Sequence, residues 1–284
     1  MTISTPPGKF VLQRISDEGT RTPIVARAFL GILKIREAAI VQQPDRDNFD
    51  TAYQVIYNEL LDLRDASVSI NKIWNAHRAK IISGEIVRIN GQHIEITESA
   101  DRELKREVSN FLNIGTRIIK NNMQTMMRNL GVDVGFLFQK DSAFQNGLAA
   151  RRTSEPLLSD YVYQVRQWSE PLILVRNGLL EHGTFTFPKI TYAYDKNPIE
   201  PEQPKINDML VCDYVNLVYD RLVCLVEELT AYCLQKKLPT GITIEEIPLD
   251  RRPAEVPERF RITMAGQGVP QWNLTYTPDK FEQK

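Results

Sequence analysis

Arg176, Asn177 and His182 are the residues of this chain whose types and spacing suit chemistry at a phosphate. RNA can be cut by attack of its own 2′-OH. The reaction then needs a group that takes up that proton or protonates the leaving 5′-oxygen, and positive charge on the phosphorane oxygens. Histidine suits the proton transfer because its unperturbed pKa is about 6.5. Arginine suits the charge through its planar, always-ionised fork. Asn177 can orient phosphate or imidazole without adding charge. Six residues amount to about 240° around a helix, so Arg176 and His182 do not stack on one face. A frayed last turn, or a second copy of the chain, would have to complete such a site.

The elements around them read as helices. Ser169 is a natural N-cap, Glu170 and Pro171 suit a first turn, and Gly183 is a natural C′ stop, so Ser169 to Gly183 reads as one short, doubly marked helix. Ser154-Glu155-Pro156 repeats the start signal. Residues 157–168 and 172–182 are therefore two helices, or one helix kinked near Pro171. Arg176 points into an apolar arc of Leu172, Ile173, Val175, Leu179 and Leu180, so it must be paired, snorkel, or face another chain or a ligand. Gly178 costs about 1 kcal/mol in a helix interior, which suggests a close approach there. Arginine, a polar residue, then histidine after four further residues resembles the signature of HEPN domains, carried here by Arg176, Asn177 and His182. A second spacing, Arg88 to His93, is set aside because Asn90-Gly91 reads as a hairpin turn.

The resemblance implies an all-helical module and a metal-independent endoribonuclease of toxin–antitoxin, phage-defence or stress systems. Arg176, Asn177 and His182 would be its catalytic residues, with no cofactor and no metal. It further implies RNA as substrate, a homodimer with Arg176 and Gly178 near the interface, and an antitoxin or sensor protein as a further partner. The alternative is a non-catalytic HEPN-like helical protein that binds RNA or a protein partner.

The net charge of −1 means that any RNA contact must come from a local patch. Arg102, Arg106, Asn113, Arg117, Lys120, Gln124 and Arg128 fall within about 80° of one another on one predicted helix face. Such a stripe either tracks a phosphate backbone or is a solvated face. Arg151 and Arg152 add a small basic cluster. Other chemistries find little support. The three histidines and three cysteines lack paired metal-ligand spacing, and no phosphate-binding glycine loop or nucleophile elbow occurs. Asp62 and Asp65 flank Arg64 and read as surface ion pairs; His77 reads as a solvated or interhelical histidine.

Composition is that of a globular protein. Cys212, Cys224 and Cys233 read as buried free thiols, which with the lack of a leader-like N-terminus or a membrane-length apolar run suggests the cytoplasm. The expected fold is mainly α, an antiparallel HEPN-like bundle with a small β-hairpin insertion and an extended C-terminal tail that is partly β. Residues 1–20 read as an arm, 21–240 as the helical domain with its hairpin at 85–97, and 241–284 as an extension packed on the domain or trailing it. Helices are expected from Pro23 to Val41, Phe49 to Ile82 with Asp47 or Asn48 as cap, Thr97 or Ser99 to Leu130, and Asp208 to Lys237 with Asn207 as cap. The last has Tyr214, Val218, Leu225 and Leu229 on its core face. Residues 184–194 alternate as an extended segment or weak edge strand, and Ile242–Ile247 and Phe260–Met264 read as strands.

Overall fold

The apolar positions with helical period assemble into a mostly helical structure with four small antiparallel ribbons, seen in a computed structural model that describes residues 19–90, 93–193, 199–266 and 272–276. The expected N-terminal arm therefore falls almost wholly outside the described residues. Helix α1 spans residues 23–39 and includes a π turn at Ala26–Gly31. Helix α2, Gln43–Ile82, is about 60 Å long at the usual rise per residue. Helix α3 spans 101–129 with a π turn at Ile118–Met123. Helix α4 is Asp141–Arg152. Helix α5 spans 156–182 and ends in a π turn, Gly178–His182. Helix α6 is Val211–Gln235.

Helix α6 carries apolar residues nearly all round and is the central rod, as such a pattern requires. Helices α1, α2, α3 and α5 all pack on it, and α2 and α3 pack along one another. The buried face of α3 is Leu104, Val108, Phe111, Leu112, Ile118, Ile119, Met123 and Met126, the set its periodicity predicts. Among the described residues no helix is long and apolar enough to cross a membrane. The three cysteines on α6 are buried free thiols; burial pushes Cys212 up to about 11, and Cys224 and Cys233 up to about 12.

Three local start signals are overridden. Helix α2 begins at Gln43, ahead of Asp47 and Asn48, because Pro44 has a preset φ and serves as a first-turn residue. Ser169 caps nothing: it is fully buried inside α5, and Pro171 is accommodated within the helix. Leu158, Val162, Val165, Leu172 and Val175 keep one buried stripe running through the proline, and that packing outweighs the lost hydrogen bond. Asn207 does not cap α6 either. Asn207 and Asp208 have φ of 49° and 63° and form the two-residue turn between β5 (Lys205–Ile206) and β6 (Met209–Leu210). Positive φ at both centres is the type I′ geometry to which Asn and Asp are suited.

The expected hairpin is present as β1 (Val87–Asn90) paired with β2 (His93–Ile96). Its turn residues Gly91 and Gln92 lie outside the described residues. The edge segment after α5 forms β3 (Thr191–Ala193), paired with β4 (Glu200–Glu202). This ribbon is tied to α2 by Arg78–Glu200 at 3.3 Å and by His77 Nε2, 3.0 Å from the Tyr192 hydroxyl. His77 is thus an interhelical-to-ribbon histidine, 5% exposed. Burial lowers its pKa, with Lys80 adding to that effect and Asp101 and Glu98 opposing it. A folded pKa below the unfolded value means that the unfolded chain takes up the proton first. Stability from neutral His77 is therefore fully present above about pH 6.5 and is lost as pH falls through the lower folded value. In urea titrations the midpoint should fall on acidification through that window, and His77→Phe should flatten the fall. An unchanged pH slope in the variant would remove His77 as its source.

The C-terminal strands β7 (Ile242–Glu246) and β8 (Phe260–Met264) belong to the main core through Ile244 and Phe260, with Trp272 and Leu274 beside them. A buried ionic cluster adds to this anchorage. Arg259, fully buried, donates to Glu228 at 2.7 Å, Glu246 at 2.7 Å and Glu227 at 3.3 Å. Arg27 of α1 holds Glu227 with two further bonds, at 2.6 and 3.0 Å. Burial opposes ionisation of Glu227, but Arg27 and Arg259 outweigh it and keep the carboxyl below its ordinary value. At Glu228 burial prevails and the pKa is raised. The cluster joins α1, α6 and the strand pair across long sequence separations.

Candidate functional site at the end of helix α5

Arg176 sits in the last α-helical turn of α5, where α5 packs against α3. Its side chain is 21% exposed. Nη2 donates to Asn113 Oδ1 of α3 at 3.2 Å, and Nη1 donates to Asn177 Oδ1 at 3.1 Å and to the Glu181 carboxylate. The arginine on the apolar arc is therefore paired within the chain, by one carboxylate and two amides. Residues five apart lie about 140° apart around an α-helix, too far for a direct pair. The wider π turn over Gly178–His182 draws position 181 back towards 176, which is how Glu181 reaches Arg176.

His182 ends that turn and is exposed; among the described residues it forms no hydrogen bond or ion pair. It does not touch Arg176 directly. The two are linked through Glu181, whose carboxyl is held below its ordinary pKa by the hydrogen bond from Arg176, with His182 and Lys120 adding positive potential. Gly183 follows with φ of 62°, the left-handed stop its position predicts. The chain then doubles back, and the Phe185 N–H donates to the Gly178 carbonyl at 3.2 Å. A Cβ on Gly178 would lie 2.8 Å from Phe185 Cβ. The close approach that Gly178 permits is thus made by residues 184–185 of the same chain.

The basic residues of α3 do not form one free line. Arg106 pairs with Glu107 at 3.0 Å, and Arg117 with the buried Glu59, which also accepts from Asn122. Arg102 and Arg128 are exposed, and Lys120 is half-buried. The π turn at Ile118–Met123 adds a residue to one turn and sets everything after it back by about 100°, so Arg128 leaves the line of Arg106 and Arg117. Between α2 and α3 a groove of about 430 Å³ is lined by Asp62, Asp65, Glu107 and Arg117, among others. Three carboxylates against one guanidinium do not attract a polyanion. Arg151 is half-buried between Glu155 at 2.5 Å and the Asp133 carbonyl at 3.4 Å, while Arg152 is exposed at the end of α4.

The structure therefore gathers Arg176, Asn177 and Asn113 where α5 meets α3, with Glu181 and His182 on the π turn that follows, and leaves Arg102, Arg106, Arg151 and Arg152 outside that set of contacts. Sequence reasoning missed the role of Asn113. It was visible as a polar residue on the α3 stripe, but nothing local tied it to Arg176. No group of three or more His, Cys, Asp or Glu side chains among the described residues is arranged to hold a metal ion. Comparison with protein-family models, with curated proteins and with solved structures finds no match to this chain.

Proposed function

We propose that this chain is a HEPN-type, metal-independent endoribonuclease that uses Arg176, Asn177 and His182. The observation that supports this reading is an arginine whose fork is pinned by side chains of two helices, with an exposed histidine at the end of the π turn that follows it. An anchored guanidinium loses little freedom when it meets a phosphate, and an exposed imidazole can be reached by a substrate. In the reaction the 2′-oxygen bonds to phosphorus and the bond from phosphorus to the 5′-oxygen breaks. The 2′-OH proton passes to a base, and the leaving 5′-oxygen receives a proton. His182 serves one of these transfers, and Arg176 offsets the charge on the phosphorane. Two copies of the chain bring two such sites together, and an antitoxin or sensor protein governs them in a defence or stress response.

This chemistry fixes the product ends. Cleavage should leave a 2′,3′-cyclic phosphate, or the monophosphate from its hydrolysis, and a 5′-OH. A single 2′-deoxy substitution at the cleaved position should block the cut. Products with a 5′-phosphate, or cutting at the deoxy position, would rule out 2′-OH attack. Mass spectrometry of a cleaved oligonucleotide reads both.

A further inference from the structure

The Arg176 cluster has an anion in it already. The Glu181 carboxylate accepts from the Arg176 guanidinium, which holds its carboxyl below the ordinary carboxylate range. It is 46% exposed and carried on the last turn of a helix, at the edge of solvent. The guanidinium is held independently by Asn113 and Asn177, so it keeps its place when the carboxylate leaves. An arginine fork matches a carboxylate and a phosphate in the same way.

We infer that Glu181 occupies the seat of a substrate phosphate on Arg176, so that the end of the α3–α5 pair is a phosphodiester-binding site closed by the chain's own carboxylate. Asn113 and Asn177 are its positioning residues. The identification of the ligand as an RNA phosphodiester rests on the ribonuclease reading above; the closure by Glu181 rests on the ion pair itself. The site binds RNA only as far as the phosphate displaces Glu181. This accounts for an arginine that is locally neutralised in a chain of near-neutral charge.

The test is binding of a short 2′-O-methyl oligoribonucleotide, which keeps the phosphodiesters but lacks the attacking hydroxyl. Fluorescence anisotropy at low salt would compare the unaltered protein with Glu181→Gln, Arg176→Gln and the double variant. Glu181→Gln removes the competing charge at an exposed position and should tighten binding by about two- to fivefold. It should also steepen the dependence of log K on log salt by about 0.7, one further phosphate contact on a single strand. The double variant should lose both gains. No change in Glu181→Gln would overturn the inference, and so would a gain that survives in the double variant, since it would then owe nothing to Arg176. The two readings fail separately. Tighter binding with no cleavage of ordinary RNA by any variant would leave the gated site and remove the nuclease. Cleavage with the predicted ends and no effect of Glu181→Gln on binding would do the reverse.

Discussion

Replacing Arg259 with methionine is expected to destabilise the protein by about 3–5 kcal/mol, the usual cost of removing one partner from a buried ion pair. The side chain is fully enclosed, and so are Glu227 and Glu228, which it holds. Removing Arg259 leaves Arg27 as the cation held at Glu227 and strips Glu228 of its guanidinium partner in a site where burial already disfavours the charge. Folded domains are stable by only about 5–15 kcal/mol, so this one change takes a large part of the total. The urea midpoint should drop accordingly, and the strand pair at 242–264 should lose amide protection with the rest of the core. A midpoint within experimental error of the unaltered protein would show that the cluster is not load-sharing between α1, α6 and the C-terminal strands. The same packing predicts that the C-terminal residues are needed for folding, because Ile244, Phe260 and Arg259 are core positions.

The second large effect concerns chemistry. His182→Ala should lower RNA cleavage by about 100- to 10,000-fold, the range in which a positioned general acid or base contributes. His182 is exposed and makes no hydrogen bond among the described residues, so the loss should come with an unchanged melting temperature. Arg176→Ala should lower cleavage comparably, but with some loss of stability, because it leaves the Asn113 and Asn177 side chains without their donor at a half-buried position. The contrast between a purely catalytic and a mixed phenotype separates the two residues. Equal activity in His182→Ala and the unaltered protein would remove the histidine from the reaction.

The parts of this structure that were legible in the sequence are those where local pattern and burial agree. The apolar period of α3 names its buried face residue by residue, and the Ile-rich flanks of Asn90 mark the first hairpin. The same holds for the strands at 242–246 and 260–264. Where a local signal competed with packing, packing won: Ser169 and Pro171 lie inside one helix because the apolar stripe runs through them. Asn207 shows two local meanings of one residue type, cap and turn, between which a single chain gives no choice. The π turns had no local mark, and they decide both the Arg176–Glu181 contact and the break in the basic stripe. The cluster around Arg259 was hidden for a further reason. Its partners lie up to 200 residues apart, and charge pairing at that range has no period to read.

The central claim is that His182 and Arg176 cut RNA without a metal. The most direct measurement is cleavage of a labelled RNA panel in excess chelator by the unaltered protein and by His182→Ala, purified side by side so that contaminating nuclease appears equally in both. The account predicts chelator-resistant cleavage that disappears in the variant. Equal cleavage in the two preparations, or none in either across the panel, would contradict it.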